Sequence, residues 1–428
     1  MRLMRIFSLL LVCCLLLAGC APAAQPDQSL ESSASGSALS GDGGPTVSVA
    51  EPSAASEPEP VPPYDRSALY SALRDSRRLL YGLGEPLYAD LKRNFDMEQI
   101  YDWIEALGVQ SFRLWTPLTT CLSSATRLDL LAVQRFREMT GTLQDRGVTV
   151  IGMSHSWFQP EGLPYGGSTV PLVDHTPDSD YMRFLALYRD CWALLAEAIP
   201  EITVWEVGNE PNVEAFLRTP DDGVFSHEDQ VVIACDMTYY AAQGVHSVNP
   251  EALIVMPSIA ATDGMQAGVV PTFLEDMYAY IESGEGPGSI DPDDYFDVVC
   301  WHPYTPEEVN RRWRQDNDDA YAVMQAHGDG DKPVFFSEFG YTDLNEDIRV
   351  RAIRRWYAAF FEQVEQMEYV SGVQVFRMFN EMGSSWGSEG EKYFGLFTEP
   401  GYGFAPKALA YDIQAMYGGT GALDRPTA

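Results

Sequence analysis

The feature that most limits what this chain can fold into is an alternation that begins near residue 79 and runs almost to the end. Short apolar runs recur eight times: Leu79–Gly84, Ser111–Trp115, Val148–His155, Thr203–Gly208, Leu253–Ile259, Phe296–Trp301, Pro333–Glu338 and Val373–Phe379. Between them apolar residues return at spacings of three and four, as Ile100, Trp103, Ile104 and Leu107 do, which is the signature of an amphipathic helix. Such helical patterns include Met97–Leu107, Leu128–Arg146, Tyr181–Ile199, Glu228–Val248 and Ile348–Met367 among others, and residues 404–417 supply an eighth helix. Asp96 and Asp180 stand where N-caps belong, and Gly108 and Gly147 where helices stop. Strand–helix alternation implies parallel strands joined by crossover helices. Eight such units predict an α/β fold, a (β/α)8 TIM barrel filling one domain over residues 63–428. A two-lobed solute-binding fold also alternates in this way, so the residues at the strand ends must separate the two.

The N-terminus has a different character. Arg2 and Arg5 precede an apolar run from Ile6 to Ala18, which is too short to span a bilayer and reads as the core of a signal peptide over residues 1–19. Leu17-Ala18-Gly19-Cys20 resembles a bacterial lipoprotein signal. That resemblance implies a lipid anchor on Cys20 and an exported protein held on the extracellular face of the cell membrane. Residues 20–62 are rich in Ala, Ser, Pro and Glu and lack aromatic residues, Lys and Arg. Such a segment buries too little apolar surface to offset its ordering entropy, so it reads as a disordered tether with a mean span of roughly 35 Å.

Charge and cysteines exclude several partners. With 28 Lys+Arg against 62 Asp+Glu, the net charge is −34, a surface that repels phosphate backbones and gains nothing from anionic lipid. Nucleic acid is therefore not an expected partner. Cys121, Cys191, Cys235 and Cys300 are widely spaced, without a CxxC pair, and read as buried free thiols and not as a zinc site. None of the six His residues has metal-ligand spacing, and His227-Glu228 lacks the second His of a zinc-protease helix. Gly383-Ser384-Ser385-Trp386-Gly387 is not followed by a helix, and Gly82-Leu83-Gly84 leads into Glu-Pro, so neither a nucleophile elbow nor a dinucleotide loop is supported.

In a parallel barrel, chemistry sits at the C-terminal strand ends. The fourth run ends Trp205-Glu206-Val207-Gly208-Asn209-Glu210-Pro211-Asn212, and the seventh ends Phe335-Phe336-Ser337-Glu338-Phe339-Gly340. Two facing carboxyls are what glycosidic cleavage needs, one as proton donor and one as nucleophile. Asn209-Glu210-Pro211 and Ser337-Glu338-Phe339-Gly340 resemble clan A of the glycoside hydrolases, most closely families 5 and 39. So do Val299-Cys300-Trp301-His302-Pro303-Tyr304 and the tail Gly395-Leu396-Phe397…Pro406-Lys407-Ala408, and the likeness covers roughly residues 81–417.

The resemblance implies a retaining glycoside hydrolase acting on a poly- or oligosaccharide without a cofactor or metal. Glu210 would be acid/base and Glu338 nucleophile. Arg113 would pair with Glu338, or with Glu206, whose strand parity matches Glu210. His155 and Asn209 would hydrogen-bond the sugar, and His302 and Tyr304 would flank the nucleophile. Trp115, Trp157, Trp301 and Trp386 are candidate stacking platforms. Clan members carry a Trp at the end of strand eight; here the run reads Val375-Phe376-Arg377-Met378-Phe379-Asn380-Glu381, so Phe379 or Trp386 is expected to take that place. Asn380-Glu381 lacks the following Pro and reads as a decoy. The alternative function, a sugar-binding lipoprotein, explains the anchor and tether but not the pair of glutamates. The loops Trp157–Pro177 and Glu214–His227 are long enough to wall one end of a cleft.

Overall fold

Apolar runs buried on both faces become parallel strands because each face meets a packed layer, with side chains on one side and helices on the other. The computed structural model describes residues 79–85, 96–115, 118–155, 157–158, 168–261, 268–342, 348–380, 391–398 and 404–423. The strands are β1 (Leu80–Glu85), β2 (Ser111–Trp115), β3 (Thr149–Met153), β4 (Val204–Glu206), β5 (Leu253–Val255, resuming at Ile259–Ala260), β6 (Val299–His302), β7 (Val334–Phe339) and β8 (Val370–Phe376). Each pairs in parallel with its sequence neighbour, and β8 returns to β1 through Leu80↔Gly372 to Gly84↔Phe376. The ring closes at β5. Its first half pairs with β4 and its second half with β6, and Val255 bridges Val298. Pro257 lies in the gap and has no N–H to continue the ladder. A closed ring of eight strands is a (β/α)8 barrel, not two lobes.

The helices are α1 (Met97–Leu107), α2 (Leu130–Asp145), α3 (Asp180–Ala198), α4 (His227–Val248), α5 (Val269–Ser283), α6 (Arg311–Ala326), α7 (Ile348–Val364) and α8 (Ala408–Tyr417). Asp96 caps α1 by accepting from the Gln99 N–H, and Gly108 ends it at φ 82°, a left-handed value that glycine adopts without strain. The cap of α3 is Ser179, not the expected Asp180. The Ser179 hydroxyl accepts from Met182 N–H, and Asp180 becomes the first helical residue, where its charge suits the helix dipole. A short hairpin, Leu122–Ser124 with Arg127–Leu128, precedes α2. No helix among the described residues is long and apolar enough to cross a membrane.

Alternation along each strand sorts side chains between the barrel axis and the helix layer. Gln374 and Ser111 meet inside, Nε2 to Oγ at 2.8 Å. A Cβ at Gly82 would lie 1.9 Å from the Gln374 amide oxygen, so a side chain there would push the Gln374 amide off Ser111. The same alternation corrects one expected sugar platform. His302 points inward, so Trp301, one residue earlier, points outward; it is wholly buried against Phe336 and donates to Asn317 Oδ1 at 2.7 Å. Trp157 is likewise core. It packs on Phe184 and Tyr188 and donates to the Thr169 carbonyl at 2.7 Å. Cys121, Cys191, Cys235 and Cys300 are free and buried.

The two long loops expected beside the cleft are tied together. Thr169 bridges Arg218, and Arg218 in turn bridges Val224. Beyond the bridge, the loop after β3 is pinned to the helix layer at Asp236 on α4. This buried carboxylate accepts from His175 Nε2 at 2.8 Å, Tyr181 at 2.9 Å and Tyr280 at 3.0 Å. The hydrogen bond to Asp236 raises the His175 pKa above its ordinary value. A group whose folded pKa is raised adds stability that is complete below its unfolded value and is lost as pH rises through the folded one. Wild type should therefore have its largest melting-temperature advantage over His175→Ala near pH 5, and that advantage should shrink steadily toward pH 9. Thermal melts of both proteins across this range check it.

Candidate active site

Arg113, in the middle of β2, is the centre of the site and is wholly buried. Its Nε and Nη2 donate to the two oxygens of Glu206, each at 2.7 Å, in a bidentate fork. Nη2 also donates to Asn209 Oδ1 at 2.8 Å, and Nη1 donates to Glu338 Oε1. The two expected partners of Arg113 are thus both real. Burial alone would lower the guanidinium pKa, but the two carboxylates more than reverse this.

Glu338 is also buried, and burial would raise its carboxyl. His302, the Arg113 charge, and hydrogen bonds from Arg113 and Tyr304 outweigh that and hold it below the usual glutamate range. The Tyr304 hydroxyl donates to Oε2 at 3.0 Å. Tyr304 itself stays a phenol, because burial and the charges of Glu338 and Glu210 push its pKa well up.

Glu210 lies just past β4. Its Oε1 is 2.7 Å from His302 Nδ1, and ligand atoms of Glu210, His302 and Glu338 all fall within 4.8 Å of one another. That spacing could also suit a cation, but Glu338 already faces a guanidinium and His302 Nδ1 already faces Glu210. The two oxygens are close enough to work on one glycosidic bond from two sides, the short separation of retaining enzymes.

Ser337 was not legible as a site residue. Alternation would turn Ser337 and Glu338 to opposite faces, yet both reach inward. A bulge explains it: from Phe336 to Phe339 β7 advances three residues while β8 advances two, Val373 to Val375. The Ser337 hydroxyl donates to Glu206 Oε1 at 3.1 Å and receives the Cys300 thiol at 2.9 Å. Burial keeps that thiol protonated. His302 Nε2 sits 2.9 Å from Ser337 Oγ. Since the hydroxyl has one proton and gives it to Glu206, Nε2 must donate to it. One proton is then left between His302 Nδ1 and Glu210.

The remaining expected residues divide. His155 sits beside Trp115, ring centroids 5.3 Å apart, and its Nδ1 is buried with no partner among the described residues. Burial first, and Arg113 second, lower its pKa to about 4, so it is neutral at ordinary pH. Trp115 lies 5.8 Å from the Arg113 guanidinium and remains at the site. Trp386 and Cys20 lie outside the described residues. Phe379 does not floor the site; it is buried among Trp103, Phe397 and Phe404. Phe376 shares the inward parity of Gln374 and is half-buried at the end of β8. It contacts Phe394, which contacts Tyr304. Asn380 Oδ1 accepts from Lys407 Nζ at 2.7 Å, and Glu381 lies outside the described residues.

Comparison with known proteins agrees with this geometry. The family model described as cellulase (glycosyl hydrolase family 5) matches residues 86–373. No curated protein sequence matches. Among solved structures, a GH5_18 variant from Bifidobacterium longum subsp. longum in complex with Manb1-4GlcNAc aligns with a TM-score of 0.54 at 13% identity, covering 80% of this chain and 78% of that one. A beta-glucosidase from Thermotoga maritima in complex with castanospermine gives 0.53 at 16% identity, covering 77% and 87%. A family 39 glycoside hydrolase from Bacteroides cellulosilyticus WH2 gives 0.52 at 16% identity, covering 80% and 65%. At such identities these structures speak to the fold, while the family match spans most of the chain. The chain belongs to the cellulase family, glycosyl hydrolase family 5, and is a retaining O-glycoside hydrolase of clan A.

Proposed function

We propose that Glu338 attacks the anomeric carbon of a β-linked, uncharged poly- or oligosaccharide while Glu210 protonates the departing oxygen. Water then opens the covalent glycosyl-enzyme with Glu210 as base, so configuration is retained. The observation that supports this best is the approach of Glu210 and Glu338 oxygens to within 4.8 Å. A carboxyl held below its usual range is ionised and ready to attack, which suits Glu338. The proton lodged between His302 and Glu210 is the one the leaving group takes. Asn209 has its oxygen on Arg113, so its amide N–H groups are left for the sugar 2-hydroxyl. Neutral His155 suits a sugar hydroxyl better than a charged group. A net charge of −34 disfavours anionic glycans, and the beta-glucosidase relative makes a β-linkage the natural reading. No cofactor is required for this scheme.

The N-terminal segments complete the reading. Residues 1–19 direct export, Cys20 carries the lipid, and residues 20–62 tether the catalytic domain, residues 63–428, on the outer face of the cell membrane.

Three outcomes test these assignments. Glu338→Gly should cut turnover of aryl β-glycosides by roughly 10³–10⁵-fold, and azide should restore it as a glycosyl azide; a fully active variant removes the assignment. Glu338 has a depressed pKa, so its ion pair adds stability above the unfolded pKa and loses it as pH falls through the folded one. His302 is the largest source of that depression and Arg113 the next, so Arg113→Met removes part of it. The acid limb of kcat/KM should then move to higher pH, and denaturant melts should show a loss of about 3–5 kcal/mol, because the Glu206 charge is left buried without its guanidinium. For the anchor, radiolabelled palmitate should enter the full-length protein expressed in a bacterium, and Cys20→Ser should abolish both labelling and membrane sedimentation.

A further inference from the structure

The geometry assigns to Asn212 the task of holding Glu210 in place, an inference that rests on the reading of Glu210 as acid/base. β4 stops as a strand at Glu206, but the chain keeps following β5 for several residues. Asn209 bridges Ser258, and Glu210 N–H donates to the Ser258 carbonyl at 2.8 Å. Two residues on, the ladder is continued by a side chain. Asn212 Nδ2 donates to the Ala260 carbonyl at 2.8 Å, and its Oδ1 accepts from Ala260 N–H at 2.9 Å. Between these two ties Glu210 has φ 45°, a left-handed backbone that residues other than glycine rarely adopt. Val213 N–H closes the turn on the Glu210 carbonyl at 2.9 Å.

Ala260 is not an arbitrary anchor. It is paired in register with His302 on β6, and His302 Nδ1 is the group that holds the Glu210 carboxyl. The backbone of Glu210, through Asn212, and its carboxyl, through His302, are therefore referred to one residue pair on neighbouring strands. Without the Asn212 amide, the turn keeps its Val213 bond but loses both of its ties to β5 on the far side of Glu210, and its relaxation would swing the carboxyl off His302. Only an amide of this length supplies both a donor and an acceptor to one peptide group. Asn212 is a positioning residue; it acts through Glu210.

A positioning role for the acid has a signature that loop stability alone does not. Aryl glycosides with very acidic phenols leave without proton help, whereas poor leaving groups depend on it. For Asn212→Ala, kcat/KM should fall about 10–100-fold on a phenyl or alkyl glycoside and by less than about 3-fold on the dinitrophenyl glycoside. Asn212→Asp keeps the acceptor, loses the donor, and should show the same leaving-group dependence; it serves if the Ala variant does not fold. Glu210→Gln is the reference. If it shows the steep dependence and the Asn212 variants lose activity equally on all leaving groups, or not at all, the inference is wrong while Glu210 keeps its role. If Glu210→Gln shows no leaving-group dependence, the acid assignment itself fails.

Discussion

A single guanidinium organises this molecule. Arg113 has no contact with solvent, and a buried charge is tolerated only where opposite charge and hydrogen bonds surround it. Its fork on Glu206, its bond to Asn209 and its contact with Glu338 draw in groups from β4 and β7 as well as β2. The same ion thus knits the ring and presets the distance between the carboxylates. Glu206 also has a consequence for the proposed reaction. When Glu338 becomes a neutral glycosyl ester, Arg113 would face no countercharge if it had only that partner. With Glu206 bound through both oxygens, compensation persists through the covalent stage.

Much of this was readable from the residues. The periodicity gave all eight strands to within a few positions, because strands buried on two faces are continuous apolar runs and crossover helices are not. Strand parity placed Arg113 and Glu206 together inside the barrel. A single glutamate at a strand end is commonplace; Glu210 and Glu338 were found because Asn209-Glu210-Pro211 and Ser337-Glu338-Phe339-Gly340 close the fourth and seventh runs together, in the order the clan resemblance implies. The failures have a common cause. Trp301 and Trp157 are aromatic residues near the strand ends, but type and position along the chain do not say which side of a strand is solvent-facing. Parity with His302 would have turned Trp301 outward. Phe379 was misread for the same reason, since Phe376 and not Phe379 shares parity with Gln374.

Ser337 and Asn212 were out of reach in another way. Each depends on a local departure from regular geometry, a bulge in β7 and a left-handed residue after β4, and neither departure leaves a mark in the sequence. They are polar residues next to a glutamate, which is common on any surface. What makes them matter is the hydrogen-bond accounting of a dry interior. Ser337 relays between Glu206, Cys300 and His302, and no group in that relay can be changed without stranding another.

The β7 bulge carries an implication for how this chain can vary. Side-chain direction in a strand flips with every residue, so the count between Phe336 and Phe339 is a reading frame. Dropping Ser337 would restore a regular ladder with the carboxylate still inward, but it would strip Glu206, Cys300 and His302 of the hydroxyl they share. Indels are cheap in most connections of this barrel, where backbone is solvated and length is free. Within these four positions a deletion removes either the carboxylate or the hydroxyl that links its neighbours.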